Sequence, residues 1–235
     1  MVCDSLCISH CNCVIKHSTN CFCFCCIGVQ LELDFRLHYP DAGAHLVNEF
    51  SKWVPGIIAA ARLSRRANLI ELLREYDAQP HSPEPTERDF NYAILALLHL
   101  LPSCNTRQKA RLSSAELESS LIAYAPQQTC IQLFVDAKQL SKNKQPSLLC
   151  LGSKDQCGNF YLLLDAKAVD LGECGTVKAV DYLFKCHFVF WVSYGKCLAL
   201  FMEFLQKVIY KIQPEKFSTR VRELPNCILT LSNSG

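Results

Sequence analysis

Cysteine is the residue type in this 235-residue chain whose number and spacing most suggest chemistry, with 16 copies. Eight of them fall in the first 26 residues, several at Cys-x-Cys spacing. Thiolates this close together can share d10 metal ions, and His10 and His17 can add imidazole ligands. Known zinc sites use paired Cys-x2-Cys knuckles separated by a fixed gap, and this leader, residues 1–30, has no such pair. A low-complexity, disordered leader without metal is therefore the preferred interpretation, and metal binding is the alternative.

The remaining cysteines are spread singly through apolar segments, which is typical of reduced thiols buried as small hydrophobic side chains. They are Cys104, Cys130, Cys150, Cys157, Cys174, Cys186, Cys197 and Cys227. The leader also lacks a basic segment ahead of an apolar run and a small-residue cleavage site. We therefore expect an intracellular, reducing location, either cytoplasmic or nuclear.

A catalytic site needs a nucleophile with a base, or clustered carboxylates, and the sequence offers weak candidates for both. Cys186 and His187 are adjacent in a predicted helix, so their side chains point about 100° apart. His187 and His99 both lie among apolar residues, which favours hydrogen-bonded core histidines. Asp165 and Asp181 suit a turn and the first turn of a helix, respectively. With no phosphate loop or nucleophile elbow, we predict no enzyme and no catalytic, cofactor-binding or metal residues.

The chain has a net charge of only +2, so composition indicates neither a polyanionic nor a basic partner. Two short basic runs are present, formed by Arg62, Arg65 and Arg66 and by Arg107, Lys109 and Arg111. Aromatic residues are not interleaved with them, as a base-stacking surface requires. Nucleic-acid association is thus the weaker alternative to a protein partner.

Residues 180–212 are the most regular apolar part and predict two helices around which the fold is organised. The first has an apolar stripe of Val180, Leu183, Phe184, His187, Phe188 and Trp191 and is apolar on its other faces too, which predicts a central helix. The second buries one face, composed of Leu198, Phe201, Met202, Leu205, Val208, Ile209 and Ile212.

Residues 186–205 have about the length of a bilayer-crossing helix. Lys196 and Glu203 would each cost on the order of 2.5 kcal/mol or more at the centre of such a span. The sequence Ser-Tyr-Gly at 193–195 also interrupts the pattern. We therefore expect two packed helices and no membrane span.

The rest of the chain predicts helices followed by a small sheet. Helical spacing covers 31–37, 44–63 with a kink or new start at Pro55, 67–76, and 89–101 behind a Thr86–Asp89 capping box. Short helices are expected at about 115–123 and 129–138. Two apolar runs, 148–152 and 160–165, predict an antiparallel hairpin, and 168–171 a third strand.

The predicted fold class is therefore α+β and mainly helical. A helical lobe, 31–102, precedes an α+β lobe, 103–224, in which the two C-terminal helices cover the hairpin or three-stranded sheet. Residues 225–235 are expected to form a tail.

Several segments, in this order, resemble the C-terminal region of uncharacterised vertebrate proteins called sterile alpha motif domain-containing protein 3-like, which are abundant in fishes. The matching segments are 34–41 (DFRLHYPD), 97–102 (LLHLLP), 160–165 (FYLLLD), 181–190 (DYLFKCHFVF), 204–206 (FLQ), Tyr210 and 220–224 (RVREL). The sterile alpha motif itself is absent, and the family has no established activity to transfer. The expected function is a non-catalytic intracellular protein-interaction or structural module.

Overall fold

The computed structural model describes residues 24–101, 112–140, 145–165, 167–172, 174–213 and 218–232. The elements are α1 Phe24–His38, α2 His45–Leu63, α3 Ala67–Asp77, α4 Glu87–Leu100, α5 Ser114–Leu121, β1 Ile122–Ala125, α6 Ile131–Leu140, β2 Ser147–Leu151, β3 Asn159–Leu164, β4 Lys167–Asp170, α7 Thr176–Val189, α8 Ala199–Phe204 and α9 Thr219–Ser232. A π-helical turn, Leu205–Ile209, extends α8. The predicted α+β, mainly helical class is confirmed.

The sheet has the strand order β1-β2-β3-β4. β2, β3 and β4 are antiparallel neighbours, which confirms the predicted hairpin and third strand. β1 pairs with β2 in parallel, through a connection that contains α6. The sequence did not predict this strand, because residues 122–125 continue the helical pattern of α5 without a turn residue.

The two faces of the sheet are covered by different helices. Leu148, Cys150, Phe160 and Leu162 join the main core on the face where α7 packs against β2 and β3. On the opposite face, Leu149, Leu151 and Leu163 pack with Val135 of α6 in a second apolar cluster. The prediction that both C-terminal helices cover the sheet is therefore wrong in part, since the crossover helix α6 covers one face.

Both ends of the chain contain more helix than expected. α1 begins at Phe24, within the predicted leader, because its core contacts at Leu31 and Phe35 anchor a longer helix. α9 runs through Pro225 to Ser232, within the predicted tail, and buries Val221 and Ile228. It packs along α2, which supplies an apolar surface that local sequence does not show.

A single continuous core links the two predicted lobes. Buried apolar residues from Leu31 to Ile228 belong to one cluster, and α7 contacts α1, α2 and α4 as well as the sheet. Phe184 of α7 stacks on Tyr210 with ring centroids 4.1 Å apart. This confirms the central position predicted for α7.

Local capping signals fix where two of these helices begin. Thr86 and Asp89 form the predicted capping box at the start of α4. At α7 the N-cap is Gly175, which has no side chain to accept a hydrogen bond from the first turn. The Thr176 N–H donates instead to the Glu87 carboxylate at 2.9 Å. A Cβ at position 175 would lie 2.2 Å from Glu87 Oε1, so a larger residue there would displace this carboxylate.

Pro55 does not interrupt α2, although a kink or new start was expected there. Pro55 and Ser51 are both exposed. The carbonyl that loses its helical partner therefore faces solvent, where water satisfies it. None of the described helices combines the length and apolar character needed to cross a bilayer.

Candidate functional site

An open groove of about 360 Å³ lies between α1, the start of α2 and α7. We call it the α1 groove. Its lining includes Val29, Leu33, Val47, Arg36, Lys178 and Tyr182. Val29 and Leu33 are more than half exposed, and Leu37, one turn further along α1, is 80% exposed. Helical spacing of four residues aligns these three side chains in an apolar stripe that faces solvent.

Beneath the groove lies a cluster of charged side chains. Lys185 Nζ, fully buried, contacts Asp181 Oδ2 at 2.7 Å, Glu32 Oε2 at 3.0 Å and the Gly43 carbonyl at 2.7 Å. Lys178 also pairs with Glu32 and Asp181. The Tyr210 hydroxyl donates to Asp181. Burial is the main cause that raises the pKa of Tyr210 well above its usual value, and the negative charge of Asp181 adds to it. The cluster joins α1, the turn between α1 and α2, and α7.

Trp191 lies beside the C-terminal end of α1 and is 86% exposed. Its ring meets His38 of α1 edge-on, with centroids 6.5 Å apart. The sequence placed Trp191 on the buried stripe of α7, and this prediction is wrong. α7 ends at Val189, and the chain then turns away from the helical path on which that periodicity depended.

The turn after α7 is a Schellman motif with tryptophan at the position that glycine usually occupies. Val192 N–H donates to His187 O at 2.9 Å, and Trp191 N–H donates to Phe188 O. Trp191 has φ 53°, in the left-handed region. A side chain costs about 1 kcal/mol there relative to glycine. An exposed aromatic residue held in a strained conformation is a marker of a functional surface.

Trp191→Gly is expected to raise the free energy of unfolding by about 1 kcal/mol, because glycine removes the strain at φ 53° and little packing is lost. Trp191→Ala is the matched control, since it removes the indole but keeps the Cβ. Urea unfolding of both variants measures the difference. Equal stability of the glycine and alanine variants would show that a side chain at position 191 causes no backbone strain.

The predicted core roles of Cys186 and His187 agree with their surroundings. Cys186 is fully buried, and burial raises its pKa to about 12, so the thiol stays protonated. His187 is buried, and its Nδ1–H donates to the Val192 carbonyl at 3.0 Å. Burial lowers the pKa of His187, although the hydrogen bond to Val192 opposes this change. The lowered pKa favours a neutral imidazole. These groups lack the exposed thiolate that nucleophilic catalysis needs.

The other sequence candidates lie in separate environments. His99 is buried between Asn68 and Glu118, with hydrogen bonds of 2.8 Å to each, as expected of a core histidine. Asp165 is exposed in the β3–β4 turn, at φ 47°. Asp181 is fully buried in the charged cluster. The structure therefore does not bring the two aspartates together.

Sequence reasoning missed a contact between Lys138 of α6 and Ser147 of β2, in which Lys138 Nζ donates to Ser147 Oγ. Burial lowers the pKa of Lys138 to about 8. In some hydrolases a serine in this relation is the nucleophile and the lysine is its base. Ser147 is only 5% exposed, so here the ammonium solvates a buried hydroxyl. Nothing in the sequence indicates that Lys138 and Ser147, which lie in different elements, are in contact.

Two arginines of the first basic run form contacts within the fold. Arg62 pairs with Asp77 at 2.6 Å, and Arg66 donates to the His99 carbonyl at 2.6 Å, so both hold the fold together. The second basic run, 107–111, and leader residues 1–23 lie outside the described residues. Within the described part, no three His, Cys, Asp or Glu residues are arranged to hold a metal ion.

No protein-family profile, curated protein or solved structure matches this chain. The resemblance drawn from the sequence segments therefore stays a prediction. Function has to be argued from the α1 groove, the charged cluster and Trp191.

Proposed function

We propose that the chain is a cytoplasmic or nuclear protein-interaction module that binds an amphipathic helix of a partner protein along the α1 groove. The observation that carries this proposal is the exposed apolar stripe of Val29, Leu33 and Leu37 on α1, together with the exposed Trp191 beside the C-terminal end of the same helix. Apolar side chains at i, i+3, i+4 and i+7 of a bound helix fit such a surface. Exposed tryptophans are also enriched among residues that dominate binding energy.

Charge at the groove favours a partner helix with acidic residues beside its apolar stripe. Three cationic side chains, those of Arg36, Lys178 and Lys185, surround the carboxylates of Glu32 and Asp181. Arg36 is mostly exposed, and its contact with Glu32 is long, at 4.0 Å. A partner glutamate can therefore pair with the Arg36 guanidinium at the rim.

The nucleic-acid alternative rests on the two basic runs, and the contacts of Arg62 and Arg66 weaken the case for the first of them. Both guanidiniums bond within the fold, at 2.6 Å to Asp77 and to the His99 carbonyl. Phosphate contacts make affinity fall steeply with added salt, whereas an apolar interface changes little. Salt dependence therefore distinguishes the two classes of partner.

The test uses the full chain and a fluorescent helical peptide with leucines at i, i+3, i+4 and i+7, flanked by glutamates. Fluorescence anisotropy should show saturable binding that is weakened at least about tenfold by Leu33→Glu, which places a charge in the apolar stripe. Leu133→Glu is the matched control, because Leu133 is similarly exposed on α6, and it should bind as the unchanged chain does.

Two control peptides and two further measurements separate the alternatives. A scrambled peptide of the same composition should bind weakly. A version of the helical peptide with lysines in place of its glutamates should also bind more weakly. Equal loss in Leu33→Glu and Leu133→Glu would contradict the proposed surface. So would concentration-dependent dimerisation abolished by Leu33→Glu, which would assign the groove to a second copy, or salt-sensitive binding of an oligonucleotide in place of the peptide.

A further inference from the structure

Two cysteines near the N-terminus of α7 are in direct contact and play no part in the proposed interaction. Cys150 lies in β2 and is fully buried, whereas Cys157 lies in the β2–β3 loop and is partly exposed. A hydrogen bond joins their side chains, and the N–H of Gly158 donates to the Cys150 sulfur. The buried sulfur thus lies against the accessible one.

The surroundings of the two thiols differ in a way that gives them different reactivity. Thr176 Oγ1 donates to Cys157 Sγ at 3.6 Å, at the first residue of α7, where the nearby Glu87 carboxylate opposes a second negative charge. The hydrogen bond from Cys150 lowers the pKa of Cys157, although burial acts in the opposite direction. The same bond, together with burial, raises the pKa of Cys150. Cys157 is therefore the thiol that ionises more readily.

The position of Cys157 in the chain also allows its sulfur to move toward Cys150. Pairing between β2 and β3 ends at Leu151 and Asn159, so Cys157 lies outside the hydrogen-bonded ladder. The loop itself is held in place from α4, since Arg88 Nε pairs with Asp155 at 2.6 Å. Bond formation between the sulfurs therefore needs no break in strand pairing.

We propose that Cys157 is a peroxide-sensitive modification site that forms an intramolecular disulfide with Cys150. The Cys157 thiolate attacks hydrogen peroxide, the O–O bond breaks, and the leaving hydroxide takes a proton to become water. Cys157 is then a sulfenic acid. The Cys150 sulfur, losing its proton, attacks the Cys157 sulfur and displaces a second water. Peroxide gains two electrons, and the two thiols lose two in forming one disulfide.

The sequence makes this disulfide easy to detect, because trypsin cuts after Lys154, between the two cysteines. The full reduced chain is treated with limiting hydrogen peroxide, alkylated and digested without reductant. Mass spectrometry should then find peptide 145–154 joined to peptide 155–167, and dithiothreitol should separate them. Most of Cys157 should be cross-linked before the exposed Cys130 loses measurable free thiol.

Variants assign the two roles. Cys150→Ser should leave Cys157 as a sulfenic acid that dimedone traps, whereas Cys157→Ser should abolish oxidation of Cys150. Cys174→Ser is the control, since Cys174 is partly exposed nearby and should not affect the cross-link. The proposal is overturned if Cys157 remains a free thiol after the exposed cysteines have reacted. A bond from Cys157 to Cys174 would overturn it equally. Neither outcome bears on peptide binding at the α1 groove.

Discussion

Lys185→Met is expected to lower the free energy of unfolding by about 3–5 kcal/mol, because the buried Asp181 and the partly buried Glu32 lose the fully buried one of their two lysine partners. Lys185 and Asp181 are fully buried, and the ammonium also bonds Glu32 and the Gly43 carbonyl. Methionine fills a similar volume but offers no proton to these oxygens. A loss of this size is a large fraction of a typical domain's stability of about 5–15 kcal/mol.

The matched control is Lys52→Met, since Lys52 pairs with Glu49 at 2.8 Å on the surface of α2. Exposed pairs of this kind contribute less than about 1 kcal/mol. Urea unfolding at neutral pH compares the two variants. A double variant, Lys185→Met with Asp181→Leu, should recover part of the stability by removing the buried charge. If it is no more stable than Lys185→Met, an unpaired carboxylate is not the cause.

Leu205→Asp is expected to cost about 4 kcal/mol or more, because it combines lost apolar burial with a carboxylate that has no partner. Leu205 is 1% exposed and begins the π-helical turn after α8. Gln206, its neighbour, is only partly buried and accepts a hydrogen bond from the Tyr194 hydroxyl at 3.1 Å. Gln206 lies in the same π-helical turn as Leu205.

Gln206→Asp provides the control for Leu205→Asp, since it introduces the same charge one residue away. It should cost about 1 kcal/mol, from lower helix propensity and the shortened reach to Tyr194. Thermal unfolding of the two variants is the measurement. Similar melting temperatures would show that Leu205 is not part of the core.

Local patterns predicted those elements whose cause is local. The apolar runs of β2 and β3, the capping box of α4 and the buried faces of α7 and α8 all follow from short-range spacing. β1 was missed because its four residues depend on pairing with β2, which lies beyond α6. The extension of α9 through Pro225 likewise depends on α2, which no local signal reveals.

The candidate site was harder to predict than the fold, because it depends on what tertiary packing leaves uncovered. Leu33 and Leu37 have the same residue type and helical spacing as core leucines, yet α1 turns them toward solvent. Trp191 fits the apolar period of α7, and only the Schellman turn exposes it. Lys185 and Glu32 are far apart in sequence, so their ion pair had no sequence signal.

The emission of Trp191 during peptide binding tests the proposed function most directly. Trp53 is the other tryptophan, so Trp53→Phe leaves Trp191 as the only reporter. Adding the glutamate-flanked peptide should shift the emission to shorter wavelength and protect the indole from acrylamide, because the bound helix covers the exposed ring. The scrambled peptide should cause neither change. Saturable peptide binding that leaves Trp191 fully open to acrylamide would contradict the proposed surface.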